Sequence, residues 1–270
     1  MIRVDAHHHV WRIARGDYDW LTTDLPIHRD YGLDDLRPLL GDITATILVQ
    51  AAATDAETRF LLQTARASAG LVRGVVGWTD LASPFAPRHI AALAADPLLV
   101  GLRPMLQDIA DPAWMLGAEL QPALTAMTEA GLRFDALVQP RHLEFLPEFA
   151  RRHPTLPVVI DHAAKPAIAA RAYQPWAERM ARLAAETAWC CKLSGLVTEA
   201  ASDWTAGDLR PYVEHLLACF GPERLMWGSD WPVVDLAGGY RAWRAATLAL
   251  LPAATHDAIL GAAACRFYGI

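Results

Sequence analysis

Eight short apolar runs recur along this chain, at residues 2–5, 45–50, 72–78, 98–103, 133–138, 157–161, 189–193 and 224–228. Most are rich in Val, Ile and Leu and nearly unbroken, a pattern that suits strands buried on both faces. Helical patterns fill the gaps between them. One spans 55–69, with Thr54 as N-cap and Gly70 as stop. Others span 87–95, 117–130, 142–153, 175–187, 209–220, 240–250 and 256–268. Strands alternating with helices over 270 residues predict an α/β fold, a (β/α)8 TIM barrel, as a single domain over residues 1–270. A doubly wound open sheet is the competing arrangement, but no glycine-rich turn follows the first strand. The segment 10–44 is long and holds Trp11, Tyr18, Trp20, Tyr31 and many charges, the make-up of an active-site cover.

Composition narrows the partners. Lys and Arg number 24 against 30 Asp and Glu, a net charge of −6, and no basic cluster offers a face to nucleic acid or anionic membrane. No apolar run approaches the roughly 20 residues that span a bilayer. The start, Met1-Ile2-Arg3-Val4-Asp5, lacks a charged leader followed by a long apolar stretch, so no signal peptide is expected. The four cysteines form no CxxC pair and read as reduced thiols of a cytoplasmic protein.

In such a barrel the chemistry lies at the C-terminal ends of the strands. Strand one runs into His7-His8-His9, where alternation puts His7 and His9 on one face. Strand eight ends in Asp230, beside strand one because the barrel closes there. His162 follows strand six and faces them across the mouth. Three imidazoles and a carboxylate make a zinc set. They equally make a metal-free hydrolytic site, with Asp230 taking a proton from water and His7, His9 and His162 polarising a carbonyl. By the same alternation Asp5 lies on the face of His7 and would orient a ligand histidine. Arg103 ends strand four, where it would hold a substrate carboxylate or hydroxyls, or else close a salt bridge. Lys192, one of two lysines, lies within a strand and must be paired or functional. Trp11, Trp20 and Trp231 flank the mouth and would stack on a sugar-like ring. His28, His89, His142, His153, His215 and His256 read as solvated. No G-x-S-x-G elbow and no P-loop is present.

The ordered series of motifs resembles one family. Val4-Asp5-Ala6-His7-His8-His9-Val10-Trp11, Val100-Gly101-Leu102-Arg103, Ile160-Asp161-His162-Ala163-Ala164-Lys165-Pro166, Cys191-Lys192-Leu193-Ser194-Gly195 and Met226-Trp227-Gly228-Ser229-Asp230-Trp231-Pro232 carry it. The chain is similar to the amidohydrolase superfamily, and within it to the amidohydrolase-2 lactonases. The branch that opens L-fucono- and L-rhamnonolactone is nearest. The resemblance implies a barrel that hydrolyses a lactone. Asp230 would activate water, His7, His9 and His162 would surround the carbonyl or an ion, and Arg103 would contact substrate. Departures from the pattern are Pro104-Met105 after Arg103, Gln139 before Pro140, and Ala163-Ala164. Strand four ends in Arg103 and strand five runs into Gln139-Pro140, not the bridging ligand and histidine of a two-metal centre. One divalent ion, zinc above others, or no ion, is therefore expected.

The expected activity is that of a lactonase, a hydrolase of ester bonds, acting on a small-molecule aldonolactone, with homo-oligomerisation open. A metal-dependent non-oxidative decarboxylase of the same superfamily is one alternative. A lactonase for a dicarboxylate or muconolactone is another, and a non-catalytic binding barrel is the third.

Overall fold

Each of the eight apolar runs forms a strand in the computed structural model, which describes residues 2–270. They are β1 (Val4–His8), β2 (Ala45–Val49), β3 (Val72–Gly77), β4 (Leu99–Leu102), β5 (Arg133–Ala136), β6 (Val158–Ile160), β7 (Cys190–Leu193) and β8 (Leu225–Trp227). Each pairs in parallel with the next, in the order β1 to β8. The helices are α1 (Leu33–Leu36), α2 (Asp55–Ala67), α3 (Ala86–Ala94), α4 (Gln121–Glu129), α5 (Leu146–Arg152), α6 (Trp176–Glu186), α7 (Ala206–Phe220), α8 (Tyr240–Leu250) and α9 (Ala263–Tyr268). This is the single-domain (β/α)8 TIM barrel that the alternation predicts.

Why strands form at these runs follows from burial on both faces. Inward side chains such as Val4, Ala6, Ile47, Val49, Val76 and Val159 make one apolar layer. Outward side chains such as Leu48, Val75 and Ile160 pack under the helices in a second layer. Residues of α9 join the inner layer and plug the end where the strands begin. Thr54 caps α2 as expected, its Oγ1 accepting from the Glu57 N–H at 3.0 Å. Helix α7 starts three residues earlier than the periodicity indicates, because Thr205 and Asp208 form a capping box ahead of it.

Strand β1 carries one irregularity that matters. Asp5 pairs with Thr46 but His8 pairs with Leu48, so β1 holds one residue more than β2 over this stretch. Such a bulge reverses the alternation. Ala6 and His7 both face the interior, while Asp5 faces out toward α8. The expectation that Asp5 shares a face with His7 is therefore corrected. Asp5 Oδ1 instead accepts the backbone N–H groups of His7 (3.2 Å) and Ser229 (2.8 Å) and fastens the seam between β1 and β8.

The segment 10–44 is ordered around an antiparallel bridge between Trp11 and Tyr31. It is tied to the loop after β2 by Trp20 Nε1 donating to the Ala51 carbonyl at 2.8 Å and by Thr54 Oγ1 donating to Asp17 at 3.1 Å.

Candidate active site

The barrel closes beyond the ends of its first and last strands. His8 bridges to Trp231, His9 N–H donates to the Trp231 carbonyl at 2.7 Å, and Asp230 N–H donates to the His7 carbonyl at 2.8 Å. This closure brings Asp230 Oδ1 to 3.2 Å from His9 Nε2 and 3.7 Å from His7 Nε2. His162 Nε2 reaches the same oxygen at 3.9 Å from the opposite wall. All four residues are nearly inaccessible.

Two backbone devices aim these groups. His162, Ala163, Ala164 and Lys165 all adopt positive φ, as does Asp230. Left-handed backbone costs about 1–2 kcal/mol per non-glycine residue, so surrounding contacts must hold it. Trp176 Nε1 donates to the Ala163 carbonyl at 2.7 Å, and Lys165 N–H donates to the His162 carbonyl at 2.8 Å. Two glycines leave room for the rings. A Cβ on Gly195 would stand 2.6 Å from His162 Nδ1, and one on Gly228 would stand 2.6 Å from the His7 Cβ.

Burial sets the charge states. It pushes His162 down to about 4 and, together with Lys192, holds His7 well below the usual imidazole range, so both rings are neutral at neutral pH. Burial alone would raise Asp230, but the imidazoles of His162, His9 and His7 outweigh it and keep the carboxyl ionised. His9 Nδ1 lies 2.8 Å from the Val49 carbonyl, which only accepts, so Nδ1 carries a proton. His9 Nε2 then faces a carboxylate oxygen at 3.2 Å, a pairing that is complementary with a proton or a metal ion between them. Donor atoms of His7, His9 and Asp230 lie within 4.8 Å of one another, as do those of His7, Asp161 and His162. Ligands of a tetrahedral zinc with bonds of about 2.0–2.1 Å stand roughly 3.3 Å apart. The donor set therefore fits one divalent ion.

Beneath the imidazoles lies a buried ion network. Lys192 Nζ is 2.5 Å from Asp135 Oδ2, 3.0 Å from Asp161 Oδ1 and 3.1 Å from His7 Nδ1. Tyr268 OH donates to Asp135 Oδ2 at 2.7 Å. Arg103 Nη1 lies 3.4 Å from both Asp161 Oδ2 and His7 Nε2, and Arg103 Nη2 donates to the Gln50 carbonyl. Burial raises Asp135, whereas at Asp161 the nearby Lys192, His7 and Arg103 overcome burial and lower the carboxyl.

Several expected positions need correction. Lys192 is fully buried beneath His7, so its ammonium holds two carboxylates rather than substrate. Trp11 and Trp231 are buried too. Trp11 donates from Nε1 to the Arg29 carbonyl, and Trp231 packs edge-on to Tyr31, leaving neither a free face for a sugar. Trp20 alone of the three is exposed, at 38%. Arg103 is 3% exposed and takes its salt-bridge alternative, with Asp161. His142, expected to be solvated, is buried. Asp135, Asp161, Gln50 and Ser194 were missed as contributors. Asp135 had a signal: it is an acid inside an apolar strand, and the rule that flagged Lys192 applies equally to it. A surface cavity of about 960 Å³ opens at the far end of the barrel beside Pro147, Arg151, Trp189 and Phe267, away from these groups.

A profile of the amidohydrolase family (Amidohydro_2) matches residues 4–270. The chain belongs to this amidohydrolase family. Among its relatives, the L-fucono-1,5-lactonase of Burkholderia ambifaria is 46% identical, over 99% of this chain and 96% of that protein. The L-fucono-1,5-lactonase of Burkholderia multivorans is 37% identical, over 100% and 96%. The crystal structure of an amidohydrolase from Burkholderia multivorans with bound zinc superposes with a TM-score of 0.93 at 37% identity, covering all of both chains.

Proposed function

We propose that this chain is a hydrolase that opens a sugar aldonolactone, with L-fucono-1,5-lactone as the first substrate to test. The observation that carries the reading is the convergence of the three imidazoles on Asp230 Oδ1 at the barrel seam. Near end-to-end similarity to two L-fucono-1,5-lactonases supports the substrate class.

The chemistry follows from the side chains. Asp230 takes a proton from water, and the water oxygen attacks the ring carbonyl carbon. The Asp230 carboxylate stays ionised at neutral pH, so it is free to accept that proton. The imidazoles of His7 and His162 stabilise the oxyanion. As the ring C–O bond breaks, the proton on Asp230 passes to the leaving ring oxygen. Zinc would be held by His9, Asp230 and His162, and by His7 only where its Nε2 is free of a proton, and would supply Lewis-acid polarisation of the carbonyl when bound. A lactone is already activated relative to an amide, so the residues alone face a modest barrier. Trp20, on the segment 10–44, covers the mouth and supplies the apolar face for the sugar. The four cysteines are unpaired thiols, which fits a cytoplasmic setting; among the described residues, no single helix is long and apolar enough to cross a membrane.

The test is acid release from a panel of aldonolactones, with and without chelator, beside a metal analysis of the purified protein. Turnover of L-fucono-1,5-lactone or a stereochemical neighbour is expected. Inertness toward every aldonolactone, before and after zinc is added, would reject the reading.

A further inference from the structure

His7 and His9 share one strand end but not one environment. His9 Nδ1 faces a carbonyl that only accepts, so Nδ1 carries a proton and Nε2 is the nitrogen left to face Asp230 or an ion. His7 Nδ1 faces the Lys192 ammonium at 3.1 Å, and an ammonium only donates. The remaining ammonium protons are taken by Asp135 Oδ2 at 2.5 Å and Asp161 Oδ1 at 3.0 Å, so three donors meet three acceptors.

We propose that Lys192 is a positioning residue that keeps the proton of His7 on Nε2, which makes His7 a hydrogen-bond donor to the substrate carbonyl oxygen and leaves His9 as the metal-ready member of the pair.

The competing contacts are weaker. Asp161 Oδ1 is 3.5 Å from His7 Nδ1, longer than the lysine contact, and that oxygen already accepts from Lys192. Arg103 Nη1 is 3.4 Å from His7 Nε2 but equally close to Asp161 Oδ2, a carboxylate oxygen that satisfies it without a ring lone pair. At rest the Nε2 proton of His7 points to Asp230 Oδ1, 3.7 Å away, and a developing oxyanion is a closer partner. Ligation of an ion through His7 Nε2 requires moving that proton to Nδ1, against the lysine. The two histidines of the H-x-H motif therefore divide the work.

The inference rests on the lactonase reading only for the identity of the acceptor, because the tautomer is measurable without substrate. The experiment is long-range ¹H–¹⁵N correlation spectroscopy of chelated, histidine-labelled protein at neutral pH, with His7 and His9 assigned by the signals lost in His7→Gln and His9→Gln. An unprotonated Nδ1 and protonated Nε2 are expected for His7, with a protonated Nδ1 at His9. A protonated Nδ1 on His7 overturns the proposal. In Lys192→Met, the His7 tautomer should shift, and kcat should fall about tenfold or more with KM changing far less. A folded Lys192→Met protein with an unchanged His7 spectrum also overturns it. Should that variant not fold, the wild-type spectrum decides alone. The expected spectrum in a protein inert to lactones would sink the function and leave the tautomer standing.

Discussion

The backbone N–H of Asp230 donates to the carbonyl of His7 at 2.8 Å, so a bond that closes the barrel also fixes the separation of the proposed base from the first imidazole. Stability of the seam and geometry of the site are thereby one problem. Substitutions that loosen the junction of β1 and β8 act on both, whereas isosteric changes at the side-chain tips act on chemistry alone.

Asp230→Asn is such an isosteric change. Asp230 sits at φ +58°, a left-handed conformation that asparagine tolerates. The amide removes the proton acceptor while keeping the shape. We expect kcat to fall by roughly 10³-fold, within the range for loss of a general base, and the melting temperature to stay within a few degrees of wild type. Stopped assays against a calorimetric scan check both. Near-wild-type turnover would remove Asp230 from the mechanism.

Gly195→Ala probes the placement of His162. The added methyl would meet the imidazole at 2.6 Å, and the residue's φ of +63° disfavours a side chain. The ring must swing away from Asp230, and a misplacement near 1 Å is worth about 10²-fold in rate. Ser194→Ala tests the same ring more gently, removing the hydroxyl 2.9 Å from His162 Nδ1. The expected order of activity is wild type, then Ser194→Ala, then Gly195→Ala. A fully active Gly195→Ala enzyme would mean that His162 need not stand where it does.

Much of this arrangement was legible in the sequence. Parallel barrel strands are buried on both faces, so their apolar runs stand out from the amphipathic helices between them. The His7, His9 and Asp230 meeting follows from closure alone. What the sequence hid depends on register and on pairing across the barrel. The β1 bulge, one extra residue over β2, sends Asp5 outward, and alternation by itself gives the opposite answer. The burial of Trp11 and Trp231 depends on how the segment 10–44 folds back through the Trp11–Tyr31 bridge, a contact no local pattern encodes. Asp135 and Lys192, separated by 57 positions, meet only because β5 and β7 face the same interior.

Trp20→Ala separates substrate binding from chemistry. The indole is held by the Ala51 carbonyl and packs edge-on against Trp11, its ring centre 5.4 Å away, so its orientation is set before any ligand arrives. A face that stacks on the sugar in ground and transition states alike contributes uniform binding. KM should rise by about tenfold, with kcat nearly unchanged. A matching fall in kcat would indicate that the segment 10–44 does more than hold substrate.

His8 offers a stability test independent of catalysis. It points away from the site, with Nε2 2.9 Å from Thr46 Oγ1, and burial, then the neighbouring His9, push it down to about 3. The unfolded chain takes up a proton near the ordinary value of about 6.5, while the folded protein refuses it. Stability from this group is therefore present above about 6.5 and lost as pH falls toward 3. Between pH 7 and pH 5 the loss is about 2 kcal/mol. Buried Asp5, raised to about 6, and Glu57, raised to about 7, act in the opposite direction, so the total curve blends signs. The difference between wild type and His8→Gln isolates the histidine. Urea unfolding should show that gap move by about 2 kcal/mol in favour of His8→Gln between pH 7 and pH 5. A gap that does not change with pH would mean His8 titrates alike in both states, which its burial opposes.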